Sequence, residues 1–596
     1  METQRSFFLQ VEKSLTGRAW LDRLDERQKR LAGAIADRHE VSDILSRVLA
    51  ARNVDAEQVE AYLDPKLRDL LPDPATLTDM DAATARLADA IDRQEHIALF
   101  GDYDVDGASS TALMRLYLRH FGLDPEAYIP DRVFEGYGPN PDAIDKLADA
   151  GATLLVTLDC GTTSIEAIAH ARRRNLDVLV IDHHQVGGEL PLTDALVNPN
   201  RGDDLSGLTY LSAAGVTFMV LVGLNRELRK RGQANLPDLM QMLDLVALAT
   251  VCDVVPLVGL NRAIVHRGLE IIRAGGNPGI TALGLAARLS GPASTYSLGY
   301  MIGPRINAGG RIGDASLGMQ LLTATDESEI TRIAARLDEL NSERQAIEAQ
   351  AVEEAIAVAE REIGDGEGPL VLVLESEHWH PGVVGLVAAR LKERFDRPAF
   401  AIAMRRDGTG SGSGRSVSGV DLGHAVHLAV GQGLVEKGGG HAMAAGITIR
   451  QEQISRFKAF ISEHLQEQVR AARDKAAVQI DAALTARAAS TDFVHSMQQA
   501  GPFGAGNPSP VFAFPAHRIK GASIVGVGGH VRCTLLSPDG ARLGAIAFRA
   551  ASSPLGEKLL TLGDMEALHV CGNLSLNHWQ GRETAQLRIE DAALPG

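Results

Sequence analysis

Between residues 81 and 260, helical stretches alternate with short apolar runs, and three of those runs end on acidic or imidazole side chains. Such alternation marks βαβ units wound about a parallel sheet, and no other feature narrows the possible folds of this chain as far. A helix over 82–94 leads into a strand over 96–100, and the next helix covers 111–121. Strands follow at 153–158 and 176–181, with a helix over 164–175 between them. In open α/β sheets the ligand crevice lies at the carboxyl ends of the strands. The first strand runs into Asp102-Tyr103-Asp104-Val105-Asp106-Gly107, whose period-two spacing in an extended segment places three carboxylates on one face. Like charges so placed repel unless cations hold them.

The second strand ends in Asp159-Cys160-Gly161, the third in Asp182-His183-His184, and an apolar helix over 243–251 ends in Cys252-Asp253. Each cluster alone reads as well as a solvated strand end; four together point to a metal site. Carboxylate with imidazole suits Mn²⁺, and Mg²⁺ accepts the carboxylates. Adjacent histidines point different ways, so one is expected to ligate while the other meets substrate or supports the ligands. Two cations about 4 Å apart can activate a water against a phosphodiester and stabilise its leaving oxygen. No Ser or Cys nucleophile motif competes with that reading.

A chain of 596 residues exceeds one hydrophobic core. The expected division is a leader region over 1–80, a first α/β domain over 81–285 and a linker over 286–365. A second α/β domain over 366–470 and a β-rich region over 471–596 follow. The leader carries helical patterns over 32–51 and Pro breaks at Asp64-Pro65 and 71–74. The linker contains one long helix over 327–363, capped by Thr325 or Asp326 and read as a solvated spacer. The second domain opens with a strand over 369–375. Short β-like runs at 511–514, 522–527, 531–535 and 544–548 suggest a small barrel or sandwich.

Four cysteines without a CxxC pair argue against a disulfide scaffold or cysteine zinc site, and fit a reducing cytoplasm. The N-terminus has no signal-peptide core, and the densest apolar stretch, 243–251, is too short to span a bilayer. A net charge of −17 argues weakly against a nucleic-acid partner, since local patches decide binding and a metal site inflates the acidic count.

The aspartate string, Asp182-His183-His184 and Val251-Cys252-Asp253 resemble the first, third and fourth motifs of the DHH phosphoesterase superfamily. That resemblance implies Asp104, Asp106, Asp159, His183 and Asp253 as ligands of two divalent cations, Mn²⁺ or Mg²⁺. His184, with Asp182, falls on the catalytic side, orienting or contacting the phosphate. The superfamily often has a histidine where Phe100 stands, so Asp102 either joins the ligands or sits behind them. The string 438–446 is similar to the glycine-rich motif of the accessory DHHA1 domain, implying Gly439 and Gly440 against a phosphate with His441 as donor. Trp379-His380-Pro381-Gly382, with Arg390 on the next helix and on the catalytic side, and the string 411–416 with Ser413 and Arg415 match that domain too.

Three strings are similar to the RecJ family within the superfamily: 129–138 with Arg132 and Tyr137, 303–311 with Arg305, Asn307 and Arg311, and 501–508. The resemblance spans about residues 60–550. It implies a DHH parallel-sheet domain joined by a long helix to a DHHA1 domain, followed by an OB-like domain. The implied activity is 5′→3′ degradation of single-stranded DNA to mononucleotides in repair and recombination. Arg132, Ser413 and Arg415 would meet the terminal 5′ phosphate. Arg305, Arg311 and the barrel, through His530, Arg532 and Phe548 or ordinary surface positions, would line a groove. A narrow cleft admits one strand and excludes a duplex. The implied partners are single-stranded DNA and a helicase or single-strand-binding protein, the chain acting as a monomer away from membranes. A small-molecule phosphodiesterase or pyrophosphatase leaves the linker arginines and β-rich domain unexplained. A scaffold that has lost catalysis is expected to lack ligand aspartates, yet every cluster is present.

Overall fold

The computed structural model describes residues 6–131, 135–364, 366–526, 528–563, 566–579 and 581–595. The first α/β domain is built on five parallel strands in the order Glu126–Tyr128, Ile97–Gly101, Leu154–Leu158, Asp177–Ile181, Ala195–Val197. Both faces are covered, as parallel sheets require. Ile97, Leu99, Val156 and Ile181 enter one core, and Ala98, Phe100, Leu155 and Val180 another. Register aligns Gly101 with Leu158, Leu158 with Ile181, and Ile181 with Val197. Asp102, Asp159, Asp182 and Asn198 therefore follow one another across four adjacent strand ends.

The helix expected from residue 111 starts at Val105, because the Asp104 side chain caps it by accepting from the Asp106 and Gly107 amides. Gly107 is required there: a Cβ would lie 2.5 Å from the Asp102 carbonyl oxygen. Close approach of this helix to the aspartate loop brings the acidic groups together.

Helix Glu327–Ile363 matches the expected span, and Asp326 caps it by accepting from the Glu329 amide at 2.9 Å. It is not the solvated spacer expected. Ile330, Ile333, Ala334 and Leu337 enter the core of the first domain, and Ala351, Ala355 and Ala359 that of the second. Its small and branched residues recur at helical spacing on one face, a stripe that the dense Glu and Arg of the other face obscured.

The second domain holds a five-stranded sheet in the order Lys437–His441, Ala444–Arg450, Thr409–Arg415, Ala399–Met404, Leu372–Ser376. Only the last pair is parallel.

The N-terminal segment shares its core with the C-terminal region rather than preceding the folded body. Ala19–Asp22 pairs in parallel with Ala477–Ile480. Two helices, Glu26–His39 and Asp43–Ala51, divide the 32–51 stretch and contribute Ile35, Val48 and Leu49 to a core with Phe512, Phe514 and Leu535. Buried Trp20 donates to Asp591 at 3.0 Å. Strands Val511–Val525, His530–Leu536, Arg542–Ala547, Arg582–Ala593 and Ala567–Trp579 close into a barrel, the last returning to pair with the first. Runs 511–514 and 522–527 were expected as two strands; through Val525 they form one, kept in register by bulges after Phe514 and Lys520.

Residues 501–508 tie the barrel to the first domain. The Leu257 amide donates to the Ala505 carbonyl at 2.7 Å, and buried Arg262 donates to the Gly501 carbonyl while lying 3.8 Å over the Tyr62 ring. Among the described residues no helix is long and apolar enough to cross a membrane.

Candidate metal centre

The three aspartates of the first loop do not share one face of a strand, because the chain turns into a helix at Val105. Ligand atoms of Asp102 and Asp104 lie within 4.8 Å of one another and of Asp159, whereas Asp106 groups with His183 and Asp253. A further group joins Asp159, His183 and His184.

Asp106 is buried, and its two oxygens accept from the Ala213 and Ala214 amides at 2.7 and 2.8 Å. Those amides open helix Ala213–Lys230, capped by Ser212, so the positive end of the helix offsets part of the cost of a buried charge. Burial still raises the Asp106 pKa against the opposing pull of His183.

His183 is oriented from behind. Its Nδ1 donates to the Leu211 carbonyl at 3.1 Å, which turns Nε2 toward the carboxylates. That nitrogen lies 3.3 Å from Asp159 Oδ1, 3.6 Å from Asp253 Oδ2 and 3.7 Å from Asp106 Oδ2. Asp159 Oδ1 is buried with no hydrogen-bond partner among the described residues. Burial first, then the neighbouring carboxylates, push Asp159 well above the usual carboxylate range and Asp253 up to about 9. The spacing of 3.3–3.7 Å is close to the roughly 3 Å at which ligands of one divalent cation at about 2.2 Å stand apart in octahedral geometry. Donor set, orphaned oxygen and spacing all fit a divalent cation.

His184 faces another way: its Nδ1 donates to Asp182 Oδ1 at 2.8 Å. Asp182 also accepts from the His183, His184 and Thr162 amides. Burial works against ionisation of Asp182, but His184 and Thr162 outweigh it and hold the carboxyl well below its ordinary range. Burial likewise lowers His184, yet the bond to Asp182 prevails and pushes the ring up to about 9. Tyr137 lies beside it, its hydroxyl donating to the Asp159 carbonyl at 3.0 Å and standing 3.1 Å from His184 Nδ1.

Sequence reasoning missed the residues that hold this loop. Asn198 donates to the His184 carbonyl and Thr162 hydroxyl, and Asn200 to the His183 carbonyl. Their signal was available: Asn198-Pro199-Asn200 directly follows a fourth apolar run, 195–197.

Helix Gly303–Ile312 connects this loop to the second domain. A Cβ on Gly310 would meet the Tyr103 carbonyl at 2.8 Å, and Arg311 donates to the Gly382 carbonyl at 2.9 Å. Asn307 is half-buried on that helix. Beyond Gly382, whose amide donates to His380 Nδ1, a Cβ on Gly385 would lie 3.0 Å from Arg415 Nη2 and 3.1 Å from Ser413 Oγ. Arg415 donates to the Ser413 hydroxyl at 2.9 Å.

The alternation in Thr409–Arg415 has a packing cause. Cβ atoms on Gly410, Gly412 and Gly414 would fall 2.5–2.7 Å from Met404, Ile447 and Phe400, which leaves Ser411, Ser413 and Arg415 on the other face. The 438–446 string is a hairpin of strands. Register aligns Ser413 with Gly446 and Gly439, and Arg415 with Ala444 and His441, so these groups share one face. Gly440 belongs to the opposite face, where a Cβ would strike the Ala444 carbonyl.

Two other sequence candidates lie in ion pairs. Arg390, expected on the catalytic side, bonds Glu348 at 3.1 Å and Glu393 at 2.8 Å, tying its helix to the long helix. Arg305, expected to meet substrate, pairs with Asp338 on the long helix at 2.8 Å. Arg132 lies outside the described residues.

Comparison with known proteins agrees with this architecture. Residues 96–250 match the DHH family N-terminal domain, 368–467 the DHHA1 domain and 480–591 the RecJ OB domain. The single-stranded-DNA-specific exonuclease RecJ of Dickeya dadantii is 36% identical over 92% of this chain and 95% of its own length. The crystal structure of RecJ with Mn²⁺ from Thermus thermophilus superposes with a TM-score of 0.77 at 27% identity, covering 95% of this chain and 78% of that one. The same protein with Mg²⁺ gives 0.72 at 26% identity, covering 95% and 77%. Fold and site together define a metal-dependent phosphoester hydrolase of the DHH superfamily. The chain belongs to the RecJ family of exonucleases.

Proposed function

We propose that this protein degrades single-stranded DNA from the 5′ end to mononucleotides, in DNA repair and recombination, with two divalent cations, Mn²⁺ or Mg²⁺, at the strand-end cluster. Convergence of Asp106, Asp159 and Asp253 on His183 Nε2 is the observation that carries this reading. One cation would be held by Asp106, His183 and Asp253, the other by Asp102, Asp104 and Asp159. When bound, the cations supply a water activated for attack on phosphorus and screen the leaving oxygen.

The protein's own groups do the rest. Asp182 keeps His184 protonated and aimed, so that its ring can donate to a phosphate oxygen. Ser413 and Arg415, with Gly439 and His441 on the same face, receive the terminal phosphate, and Arg132 is assigned there by motif alone. Tyr137, Asn307, Arg311 and His380 line the path between, while Arg305 and Arg390 brace the long helix. A site for a terminal phosphate opposite the cluster accounts for cutting at an end.

Strands labelled at either end, incubated with Mn²⁺, test the proposal. A 5′ label should appear at once as mononucleotide, while a 3′ label passes through progressively shorter strands. Immediate release of the 3′ label would reverse the direction, and hydrolysis of a cyclic dinucleotide alone would replace the substrate.

A further inference from the structure

Asn198 and Thr162 are fully buried beside the metal centre, where a polar group is unfavourable unless its hydrogen bonds are met. Asn198 meets all of its own. Its Nδ2 donates to the Thr162 hydroxyl at 3.0 Å and to the His184 carbonyl at 2.9 Å, and its Oδ1 accepts from the Asn200 amide at 2.8 Å. A carbonyl can only accept and an amide N–H only donate, so these partners fix which way the side chain faces. Thr162 carries the link onward, its amide donating to Asp182 Oδ2 at 3.0 Å. The other oxygen of Asp182 accepts from the His184 ring at 2.8 Å and from the His184 amide at 3.2 Å. A closed ring results, running from Asp182 through Thr162 and Asn198 to His184 and back, and it grips both the backbone and the imidazole of one residue.

Three adjacent strand ends supply its members. Thr162 follows Leu154–Leu158, Asp182 and His184 follow Asp177–Ile181, and Asn198 follows Ala195–Val197. That last strand is a three-residue sheet edge, paired on one side, and its contribution to the site is Asn198. His183 is held by different groups, since Leu211 takes its ring and Asn200 its carbonyl. The two supports meet at backbone amides, where His183 donates to Asp182 and Asn200 to Asn198. Neighbouring histidines thus have separate side-chain braces, one for a proposed ligand and one for a group that ligates nothing.

We propose that Thr162 and Asn198 are positioning residues that set the angle at which His184 meets the phosphate, independently of cation binding. The assignment rests on the phosphate contact proposed above for His184. Asp182 alone would fix one ring nitrogen and leave the His184 backbone free to shift. Small displacements of a reacting group are costly to rate, and the bond to the His184 carbonyl removes that freedom.

Steady-state hydrolysis of 5′-labelled single strands with Mn²⁺, beside calorimetric Mn²⁺ titration, tests the assignment. Asn198→Ala should lower kcat about 10-fold and Thr162→Val less, with KM and Mn²⁺ affinity near wild type. Thr162→Ser restores the hydroxyl and should keep the wild-type kcat. In a His184→Ala background, measured in single turnover with enzyme in excess, Asn198→Ala should cost nothing further, because the group it positions is gone. Wild-type kcat in Asn198→Ala, equal loss with and without His184, or Mn²⁺ affinity falling in step with kcat in both variants overturns the positioning role while the nuclease reading stands. A wild-type protein that hydrolyses no single strand with Mn²⁺ overturns both.

Discussion

The Nδ1 hydrogen of His183 is held by the Leu211 carbonyl at 3.1 Å, which turns Nε2 toward three carboxylates. A ring held this way can serve a cation without reorganising. His183→Ala should weaken Mn²⁺ binding by at least about 10-fold in isothermal titration calorimetry, the scale on which even supporting groups act. An unchanged affinity would remove His183 from the ligand set.

Proton release should accompany that binding. Burial and like charge raise Asp159 and Asp253, the latter to about 9, so the cation-free centre carries protons that a cation must displace. Both folded-state values lie above the ordinary aspartate value, so the cation-free protein loses stability as pH rises from about 4 toward 9. Mn²⁺ should therefore bind more tightly, and raise the melting temperature further, at pH 8 than at pH 6. Titrations in two buffers of different ionisation enthalpy count the protons, and a buffer-independent heat would contradict the assignment.

Asp106 has two roles that substitution can separate. Asp106→Ala removes a proposed ligand and strands the Ala213 and Ala214 amides, costing about 1–3 kcal/mol of stability. Asp106→Asn keeps one acceptor and the shape, and should cost less. Both variants should lose at least about 100-fold in hydrolysis while keeping most single-strand binding, because the groove is untouched. Thermal melts with gel-based strand assays decide, and wild-type turnover in either variant refutes the role.

The reach of sequence reasoning follows how local each feature is. The limits of the long helix were legible because Asp326 and the absence of Pro and Gly act on adjacent residues. The aspartates and histidines were legible because each ends an apolar run, and parallel register alone lines up Asp102, Asp159 and Asp182. Residues 1–80 were not, since Ala19–Asp22 finds its partner strand at Ala477–Ile480, a pairing no local pattern encodes. The run of glycines at 438–440 reads as a loop on propensity; its strand form is imposed by pairing with Ala444–Arg450. Asp106 is held by backbone amides, groups common to every residue, so only the cap at Ser212 hinted at them.

Arg415 gives the sharpest test of end recognition. It reaches across the sheet face to Ser413, and Gly385 leaves room for both at 3.0–3.1 Å. If this pair receives the terminal phosphate, the wild-type enzyme should prefer 5′-phosphorylated over 5′-hydroxyl strands, and Arg415→Ala should reduce that preference about 10-fold. Gly385→Ala should reduce it less, by pressing a methyl group on the guanidinium without removing it. Competition between the two strand types, read as a ratio of kcat/KM, cancels any general loss of folding. A ratio unmoved by Arg415→Ala would place the terminal pocket away from this sheet, although the metal centre would stand.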